Sequence, residues 1–492
     1  MKSGETWYEI LEISSEASSE EIRLAYFELA RKYHPDTNPG DLAREWFFQI
    51  QQAYETLSDP KKRHDYDESI RGRKILKDTI GITVKYSTAS IPRLNEPQVI
   101  YAMIEMNSLV DLDRTKIPQN HLCLVIDKST SMKGSRIEMV KENIIQFVEK
   151  LKPTDVISIV AFNDRADLLL SPTKVSDINF ISEKLSAIKC SGSTEIYTGL
   201  KSGFDLLWGN NTAGVRKQLI LLTDGHTYGD EEACYGLAQK LQSRGIILSG
   251  LGIGHEWNDD FLDRLSGLTG GTSTFISSTQ DLRNYIHKLS ESVSITAAEN
   301  ISYDFQSDEG IITNYMYRLS PDVSVLPLEK PMPLGEIYFN KKSVYLMSFT
   351  IPPVRQKQTT VILVKGKIRY QPSAHADRKM RLFVNLALGV EGTEPNLNPP
   401  QEIVEALARI SVYQMQEKAN SDVKNGDFNK AVARLGSIST QLFKLGNPDM
   451  AQKVMQEADL IKTSGKYSKD GDKQLKYGTR ALLSPEIEER VS

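Results

Sequence analysis

Cysteine is scarce in this chain of 492 residues, which contains only Cys123, Cys190 and Cys234. Three thiols cannot form a disulfide framework, and they cannot supply the ligands of a four-cysteine zinc site. A chain of this length without a disulfide framework is typical of a reducing compartment. We therefore expect a cytoplasmic protein.

Long hydrophobic runs are also absent. The longest apolar runs, such as 156–162 and 218–222, have the length of buried strands and fall far short of the roughly 18 residues that span a bilayer. The first residues, Met1-Lys2-Ser3-Gly4-Glu5, lack the apolar segment of a signal peptide. The sequence therefore predicts neither a membrane span nor secretion.

The chain has no large excess of charge of either sign. Lys and Arg total 60 and Asp and Glu total 64, which gives a net charge of -4 and excludes a strongly basic nucleic-acid-binding protein. Hydrophobic residues make up 40% and charged residues 25%, an ordinary globular composition. At roughly 150 residues per domain, the length indicates about three domains.

The common catalytic motifs are missing as well. The run His255–Asp259 begins like the zinc-protease motif, but Asp259 stands where the second histidine is required. Three alternating glycines at 250–254 lack the last glycine of the dinucleotide-binding pattern, and no Walker A sequence occurs. We therefore expect that this chain is not an enzyme.

The periodicity of apolar residues changes several times along the chain and predicts a multidomain α/β protein. Alternating strands and helices over 119–295 indicate a mostly parallel sheet covered on both faces. The predicted units are, in order, a helical domain at 1–70, strands at 71–118, the α/β domain at 119–295, further strands at 296–395, a Pro/Asn-rich linker at 394–400, a helical domain at 401–465 and a partly ordered tail at 466–492.

The first helical domain contains an amphipathic helix that begins after Ser18 or Ser19 and ends before Pro35, because a residue before proline is disfavoured in the α region. Its apolar face is formed by Ile22, Tyr26 and Leu29. Its basic face is formed by Arg23, Arg31 and Lys32. The tripeptide His34-Pro35-Asp36 separates it from a second amphipathic helix.

About 65 residues here resemble the J-domain of the DnaJ co-chaperone family. The matching segments include Tyr8–Leu11, Glu20–Arg23, Lys32–Asp36 and Leu57–Pro60. The resemblance implies that this domain stimulates ATP hydrolysis by a DnaK-type chaperone. It also implies that His34, Pro35 and Asp36 make the essential contact, while Arg23, Arg31 and Lys32 face an acidic chaperone surface.

Three features depart from the large DnaJ proteins. Glu12 stands where the family commonly has glycine, and residues 1–70 hold 8 Lys/Arg against 15 Asp/Glu. The Gly/Phe-rich linker and the cysteine-rich zinc repeats are absent from the sequence. Such an acidic module selects an unusual partner or binds weakly, since charge complementarity governs encounter rate and partner choice. Client binding would have to come from the remaining domains.

Polar side chains follow two strands of the α/β domain or lie in the loops beside them: Asp127, Ser129, Ser131, Thr194 and Asp224. Ligand sites on parallel sheets lie at the carboxyl ends of strands. All five side chains offer oxygen, which suits Mg²⁺, Mn²⁺ or Ca²⁺ better than zinc. These residue types also cap helices and form turns, and the two roles can coexist.

About 175 residues around these motifs resemble the von Willebrand factor A (vWA) domain, a Rossmann-like fold with a metal-ion-dependent adhesion site (MIDAS). The resemblance implies that Ser129 and Ser131 coordinate the metal directly, while Asp127, Thr194 and Asp224 coordinate it directly or through water. It further implies that the site takes an acidic residue of a partner protein.

The strands on either side of the α/β domain are too few to fold separately. We predict that 71–118 and 296–395 form one β-sandwich into which the vWA domain is inserted. This layout is similar to bacterial proteins related to the calcium-activated chloride channel family, and it implies a binding scaffold without channel activity. The helices at 401–465 are expected to dock onto this body, with a partner groove as the alternative.

Two functions fit these modules. The first is an adaptor co-chaperone that binds an acidic protein ligand through a Mg²⁺-dependent vWA site and recruits a DnaK-type chaperone through its J-domain. The alternative is a vWA scaffold of a stress or signalling complex that works with an AAA-type ATPase, in which the J-domain is an auxiliary targeting device.

Overall fold

The computed structural model describes residues 6–13, 17–36, 41–70, 79–111, 119–209, 215–225, 229–293, 296–339, 341–354, 358–373, 379–393 and 398–484. Parts of the predicted J-domain (1–5), linker (394–397) and tail (485–492) lie outside these described residues.

The helices are, in chain order, α1 (Trp7–Ile10), α2 (Ser19–Tyr33), α3 (Asp41–Leu57), α4 (Pro60–Ile70), α5 (Ser135–Val148), α6 (Ile178–Ser186), α7 (Ile196–Gly209), α8 (Glu231–Ser243), α9 (Asp259–Gly267), α10 (Thr279–Val293), α11 (Gln401–Lys424), α12 (Phe428–Lys444), α13 (Pro448–Ser464) and α14 (Gly471–Ala481).

The strands are β1 (Ile80–Tyr86), β2 (Gln98–Ser108), β3 (Gln119–Asp127), β4 (Val156–Phe162), β5 (Ala166–Lys174), β6 (Val215–Thr223), β7 (Ile247–Ile253), β8 (Ser273–Ile276), β9 (Thr296–Ser307), β10 (Ile312–Ser320), β11 (Ser324–Leu326), β12 (Met332–Tyr338), β13 (Ser343–Ile351), β14 (Thr360–Pro372), β15 (Met380–Phe383) and β16 (Leu386–Gly389).

Helices α1 to α4 form the N-terminal domain. Ser18, not Ser19, caps α2 in a capping box, since its backbone N–H donates to the Glu21 carboxylate at 2.7 Å while its Oγ accepts from the Glu21 N–H at 3.3 Å. Glu12 adopts a left-handed backbone with φ 56°, which accounts for the family's usual glycine at this turn. The turn therefore forms here at a cost of about 1 kcal/mol.

The strands before and after the inserted domain pair within one sheet of the sandwich. Its order is β1-β2-β13-β10-β11, and β2 and β13 run antiparallel from Met106 opposite Ser343 to Gln98 opposite Ile351. The second sheet has the order β12-β9-β14-β15, with β16 beside β14. Buried side chains of both sheets fill the space between them. The predicted fold class, a sandwich with an inserted α/β domain, is confirmed.

The inserted domain has a six-stranded sheet in the order β5-β4-β3-β6-β7-β8, in which only the edge strand β5 is antiparallel. Helices α5, α6 and α10 pack their apolar residues on one face of the sheet. Helices α7, α8 and α9 cover the other face. The central strands are therefore buried on both sides, as their continuous apolar runs indicate.

The C-terminal helices dock onto the body of the protein. Ile403 and Ile410 of α11 pack against Met103 and Leu346 on the outer face of the first sandwich sheet. We predicted a partly ordered tail over 466–492, but Gly471–Ala481 within it is the helix α14. The buried face of α14 carries charged residues and packs against α9. Apolar periodicity therefore does not reveal this helix.

A buried ion pair joins the inserted domain to the sandwich. The Arg216 Nε at the start of β6 donates to the Glu336 Oε1 of β12 at 2.5 Å, and both side chains are almost fully buried. Glu299 of β9 lies near this pair. Burial, and then the negative charge of Glu336, raises the pKa of Glu299 to about 7, although Arg216 opposes the shift.

We predict that the free energy of unfolding of Glu299→Gln falls less than that of the wild type as the pH rises from 5 to 8. Unfolding restores an ordinary glutamate pKa, so the folded state retains a proton that the unfolded state releases, and wild-type stability falls as pH rises toward about 7. The effect is on the order of 1–3 kcal/mol. Calorimetry of the whole chain across this pH range measures it, with Glu309→Gln in an exposed turn as the control. Equal pH dependence in all three proteins would contradict the prediction.

Candidate functional site

The predicted metal-ligating residues lie at the carboxyl edge of the vWA sheet. Strand β3 ends at Asp127, and β6 ends one residue before Asp224. The two strands are parallel neighbours with Ile126 opposite Leu222, so their carboxyl ends lie side by side. The sheet register therefore brings together the two carboxylates, although 97 positions separate them in the sequence.

Hydrogen bonds connect four of the five predicted ligands. The Ser131 hydroxyl donates to the Asp224 Oδ1 at 2.7 Å, and the Ser129 and Ser131 Oγ atoms are 3.0 Å apart. The Asp127 Oδ1 accepts the Ser129 backbone N–H at 2.8 Å, and its Oδ2 accepts the Thr223 hydroxyl at 2.6 Å. These bonds orient both carboxylates toward the serine loop.

Thr194 is the fifth predicted ligand, and its loop is bonded to the serine loop. The Thr130 backbone N–H and hydroxyl both donate to the Gly192 carbonyl, at 3.1 and 3.0 Å. Thr194 is buried and lies beside the turn that follows Asp224, because a Cβ added to Gly225 would be 2.9 Å from the Thr194 Oγ1. All five predicted ligands thus belong to one cluster.

The two carboxylates differ in their electrostatic surroundings. Burial raises the pKa of Asp127 to about 6, while hydrogen bonds from Thr223 and Ser129 oppose the shift. Asp224 contacts the guanidinium of Arg136, whose Nη1 also donates to the Ser131 carbonyl at 3.2 Å. Within the described parts of the chain, Asp127 has no such cationic partner. A cation at this cluster would offset the cost of burying the charged Asp127 carboxylate.

The donor set fits a hard divalent ion. It consists of two carboxylates and three hydroxyl groups, all oxygen, which suits Mg²⁺ or Ca²⁺. Wherever the structure describes side chains, it shows no group of three or more His, Cys, Asp or Glu that could hold a metal. Hydroxyl groups would therefore have to complete the coordination here.

Sequence reasoning missed two residues of this cluster. Arg136 lies in the first turns of α5, beyond the end of the Asp-x-Ser-x-Ser pattern, and Thr223 precedes the motif aspartate at the end of β6. Neither type of residue is diagnostic alone. The spacing of Arg136 from Ser131 becomes informative only when the 3₁₀ turn Thr130–Met132 and the start of α5 are known.

The second candidate site is the loop that follows α2. His34 ends the helix in an extended conformation, and its Nδ1 accepts the Asp36 backbone N–H at 3.2 Å. The His34 ring contacts Phe47 of α3 edge-on, with ring centroids 5.2 Å apart. The Asp36 side chain is 87% exposed and the His34 side chain 45% exposed. The loop is thus held by the helices while its polar groups face solvent.

The three predicted basic residues all lie on α2. Arg23 is exposed and pairs with Glu20 at 2.6 Å, and Arg31 is exposed. Lys32 is half-buried, with its Nζ 5.5 Å from the centroid of the Tyr33 ring. Because Phe27 lies between Arg23 and Arg31 at intervals of four residues and is 55% exposed, this surface combines positive charge with an apolar contact.

The N-terminal domain also contacts the sandwich. Ile362 of β14 belongs to the buried cluster that contains Tyr33 and Leu29. The Lys365 Nζ lies 5.3 Å from the centroid of the Tyr33 ring and 5.0 Å from that of the Trp46 ring. The residue next to His34 is therefore fixed against the body of the protein.

Family models match three parts of the chain. Residues 6–67 match the DnaJ domain, residues 121–291 the von Willebrand factor type A domain, and residues 401–485 the Sll0103-like C-terminal alpha-helical domain. The chain thus carries a J-domain and a vWA domain, as predicted. The third match includes α14.

Relatives match either the J-domain alone or most of the remainder. The uncharacterized protein sll0103 of Synechocystis sp. is 23% identical over 385 residues, which are 76% of this chain and 90% of that protein. The chaperone protein DnaJ of Anaplasma marginale is 56% identical over 66 residues, 13% of this chain and 17% of the relative. The chain therefore spans only a small part of the DnaJ proteins it matches.

Two solved structures share the fold. A von Willebrand factor type A protein from Catenulispora acidiphila has a TM-score of 0.63 at 16% identity and covers 82% of this chain and 96% of its own. The ArnB paralog VWA2 from Sulfolobus acidocaldarius has a TM-score of 0.54 at 17% identity, with 82% and 98% covered. At this identity, the likeness establishes architecture alone.

We predict that Arg136→Gln increases the affinity of the chain for Mg²⁺ several-fold. The guanidinium contacts the Asp224 carboxylate that a metal would share, and it adds a positive charge beside the cluster. Isothermal titration of the full chain with MgCl₂ measures the affinity. Lys133→Gln, in the exposed turn before α5, is the matched control, and an affinity equal to the control's would show that Arg136 does not compete with the ion.

Proposed function

From the DnaJ and von Willebrand factor type A domains of this chain, we propose that it is an adaptor co-chaperone. The J-domain recruits a DnaK-type chaperone and stimulates its ATP hydrolysis, and the vWA domain holds a protein ligand. The observation that carries the proposal is an exposed His34-Pro35-Asp36 loop in the same chain as the cluster of five oxygen-bearing side chains. The chain itself performs no bond chemistry, and its proposed location is the cytoplasm.

The proposed chaperone contact uses the exposed side of the J-domain. His34, Pro35 and Asp36 present polar groups at the end of α2, and Arg23, Arg31 and Lys32 add positive charge along that helix. An acidic surface on a chaperone is complementary to this stripe. Because the surrounding domain is net acidic, the stripe concentrates the attraction at one place and favours a single docking orientation.

The proposed ligand contact uses the cluster at the carboxyl edge of the vWA sheet. Asp127, Ser129, Ser131, Thr194 and Asp224 would hold Mg²⁺, with Mn²⁺ or Ca²⁺ as alternatives. When bound, such an ion supplies a positive centre that accepts one further oxygen ligand, and an acidic side chain of a partner protein fits that position. The hydroxyl groups carry no charge, so the chain's two carboxylates balance the ion and leave it attractive to the partner's carboxylate.

Each helix that the structure describes is too short or too polar to cross a bilayer. The three cysteines are free thiols, and two of them are buried. Thiols that stay reduced are compatible with the proposed cytoplasmic location.

We predict that His34→Gln abolishes the stimulation of a DnaK-type ATPase without unfolding the chain. The half-exposed imidazole accepts the Asp36 N–H within its own loop and packs edge-on against Phe47, so its loss removes a contact group and little stability. Single-turnover ATP hydrolysis by the chaperone of the same organism measures the stimulation. His64→Gln makes the same chemical change on exposed α4 and should stimulate like the wild type. Undiminished stimulation by His34→Gln would refute the chaperone part of the proposal.

We predict that Asp127→Ala abolishes Mg²⁺-dependent capture of the protein ligand. The substitution removes one of two carboxylates from the cluster, and Asp205→Ala on the exposed face of α7 is the matched control. Capture by the immobilised full chain is compared with Mg²⁺ and with a chelator. Capture that survives the chelator and the substitution would rule out the metal-dependent contact. An AAA-type ATPase as the main captured protein would favour the alternative scaffold function.

A further inference from the structure

A cavity of about 600 Å³ lies where the vWA domain, the sandwich and α14 meet. Gln218 near the start of β6 lines it, so it lies toward the end of the vWA sheet opposite to Asp224. A volume of several hundred Å³ and a position between domains are typical of small-molecule sites. The lining residues used below come from all three units, and none of them belongs to the cluster at the carboxyl edge.

Two residues that line this cavity each contain a buried polar atom without a hydrogen-bond partner among the described residues. The Gln218 side chain donates its Nε2 to the Ser249 Oγ at 3.2 Å, but its Oε1 has no partner, and the residue is 5% exposed. Arg480 is 7% exposed and uses both Nη atoms on Asp263, while its Nε has no partner. A buried polar atom without a partner is costly, so the packing of the chain at this edge of the cavity leaves polar groups unsatisfied.

The charges around the cavity favour an anion. Arg318 donates its Nη1 to the carbonyls of Gly270 and Leu334 at 2.8 and 3.0 Å, and its Nε to the Asp322 carbonyl at 2.8 Å. It forms no ion pair with a carboxylate that the structure describes. Exposed Lys288 and Lys341 also line the cavity. Neither forms an ion pair with a residue that the structure describes.

The three lining carboxylates balance less charge than their number suggests. Glu336 is paired with Arg216, and the Asp281 carboxylate accepts hydrogen bonds from Ser277 and Ser278 at the start of α10. The Asp281 and Asp322 carboxylates remain to oppose Arg318, Lys288 and Lys341. The cavity therefore carries an excess of positive charge.

Aromatic rings form much of the remaining wall. Phe275, Tyr285, Tyr338 and Tyr477 contribute from the vWA sheet, α10, the sandwich and α14. Flat apolar faces of this kind contact a planar ring with little loss of side-chain entropy. The wall therefore suits a molecule that combines a ring with an acidic group.

We propose that this cavity binds a small organic anion, one that carries a carboxylate or phosphate on a planar ring. The acidic group lies toward Arg318, Lys288 and Lys341, and the ring lies against the aromatic wall. Such a ligand contacts the vWA domain, the sandwich and α14 at once. Its binding stabilises their junction, and this role is independent of the chaperone and metal sites.

Anilinonaphthalene sulfonate is a suitable probe, because it is an aromatic anion whose fluorescence increases in sites that exclude water. We expect one saturable site per full-length chain. The double variant Lys288→Glu/Lys341→Glu should bind the dye about tenfold more weakly, since both exposed cations are replaced by anions. The control is Lys150→Glu/Lys240→Glu, which makes the same change at exposed lysines elsewhere on the vWA domain, and it should bind like the wild type.

Competition identifies the acidic group. Displacement of the dye by naphthoate supports the proposal with a carboxylate ligand, and displacement by adenosine monophosphate supports it with a phosphate ligand. The proposal is overturned if neither competitor displaces the dye, if binding does not saturate, or if the two double variants bind it equally.

Discussion

The antiparallel pairing of β2 with β13 is the constraint on which the rest of this structure depends. β2 precedes the inserted domain and β13 follows it, and a continuous ladder from Met106–Ser343 to Gln98–Ile351 joins them. The pairing joins strands from before and after the insertion in one sheet of the sandwich. It also creates the outer sheet face that receives α11, through Met103 of β2 and Leu346 of β13. Without this ladder, neither the inserted domain nor the C-terminal helices would have a defined position.

Buried charge fixes the remaining contacts between units. Lys476 and Arg480 of α14 bind Asp263 of α9, and they hold the pKa of that carboxyl below its usual range although burial opposes the shift. Breaking a buried pair leaves one charge without a partner, which costs several kcal/mol. The Arg216–Glu336 pair acts in the same way between the vWA sheet and the sandwich. The attraction within such a pair exceeds the cost of removing both charges from water by little. Any other arrangement of the units would leave a buried charge unpaired and is therefore disfavoured.

The sequence allowed the fold class, the inserted vWA domain and the J-domain to be predicted, because each has a distinct apolar period or a motif with fixed spacing. It did not allow α14 to be predicted. The face that α14 buries carries Lys473, Lys476 and Arg480, and such a stretch resembles a solvated tail until its acidic partners on α9 are known. Arg136 was missed for a related reason, since only the sheet register brings it to Asp224. Charge pairs between distant segments leave no local pattern in the sequence, whereas a helix or strand with one apolar face does.

The attachment of the J-domain determines what a co-chaperone of this design can do. Lys365 of the sandwich lies over Tyr33 and Trp46, while Arg23 and Arg31 stay exposed on α2. Tyr33 contacts the body between Lys32 and His34, so the attachment of the J-domain adjoins the surface proposed to meet the chaperone. In the proposed function, the position of the chaperone relative to a protein held at the vWA edge would be set by the sandwich between them. A flexible tether raises local concentration only, whereas this packed contact would also fix the direction from which the chaperone reaches the bound protein.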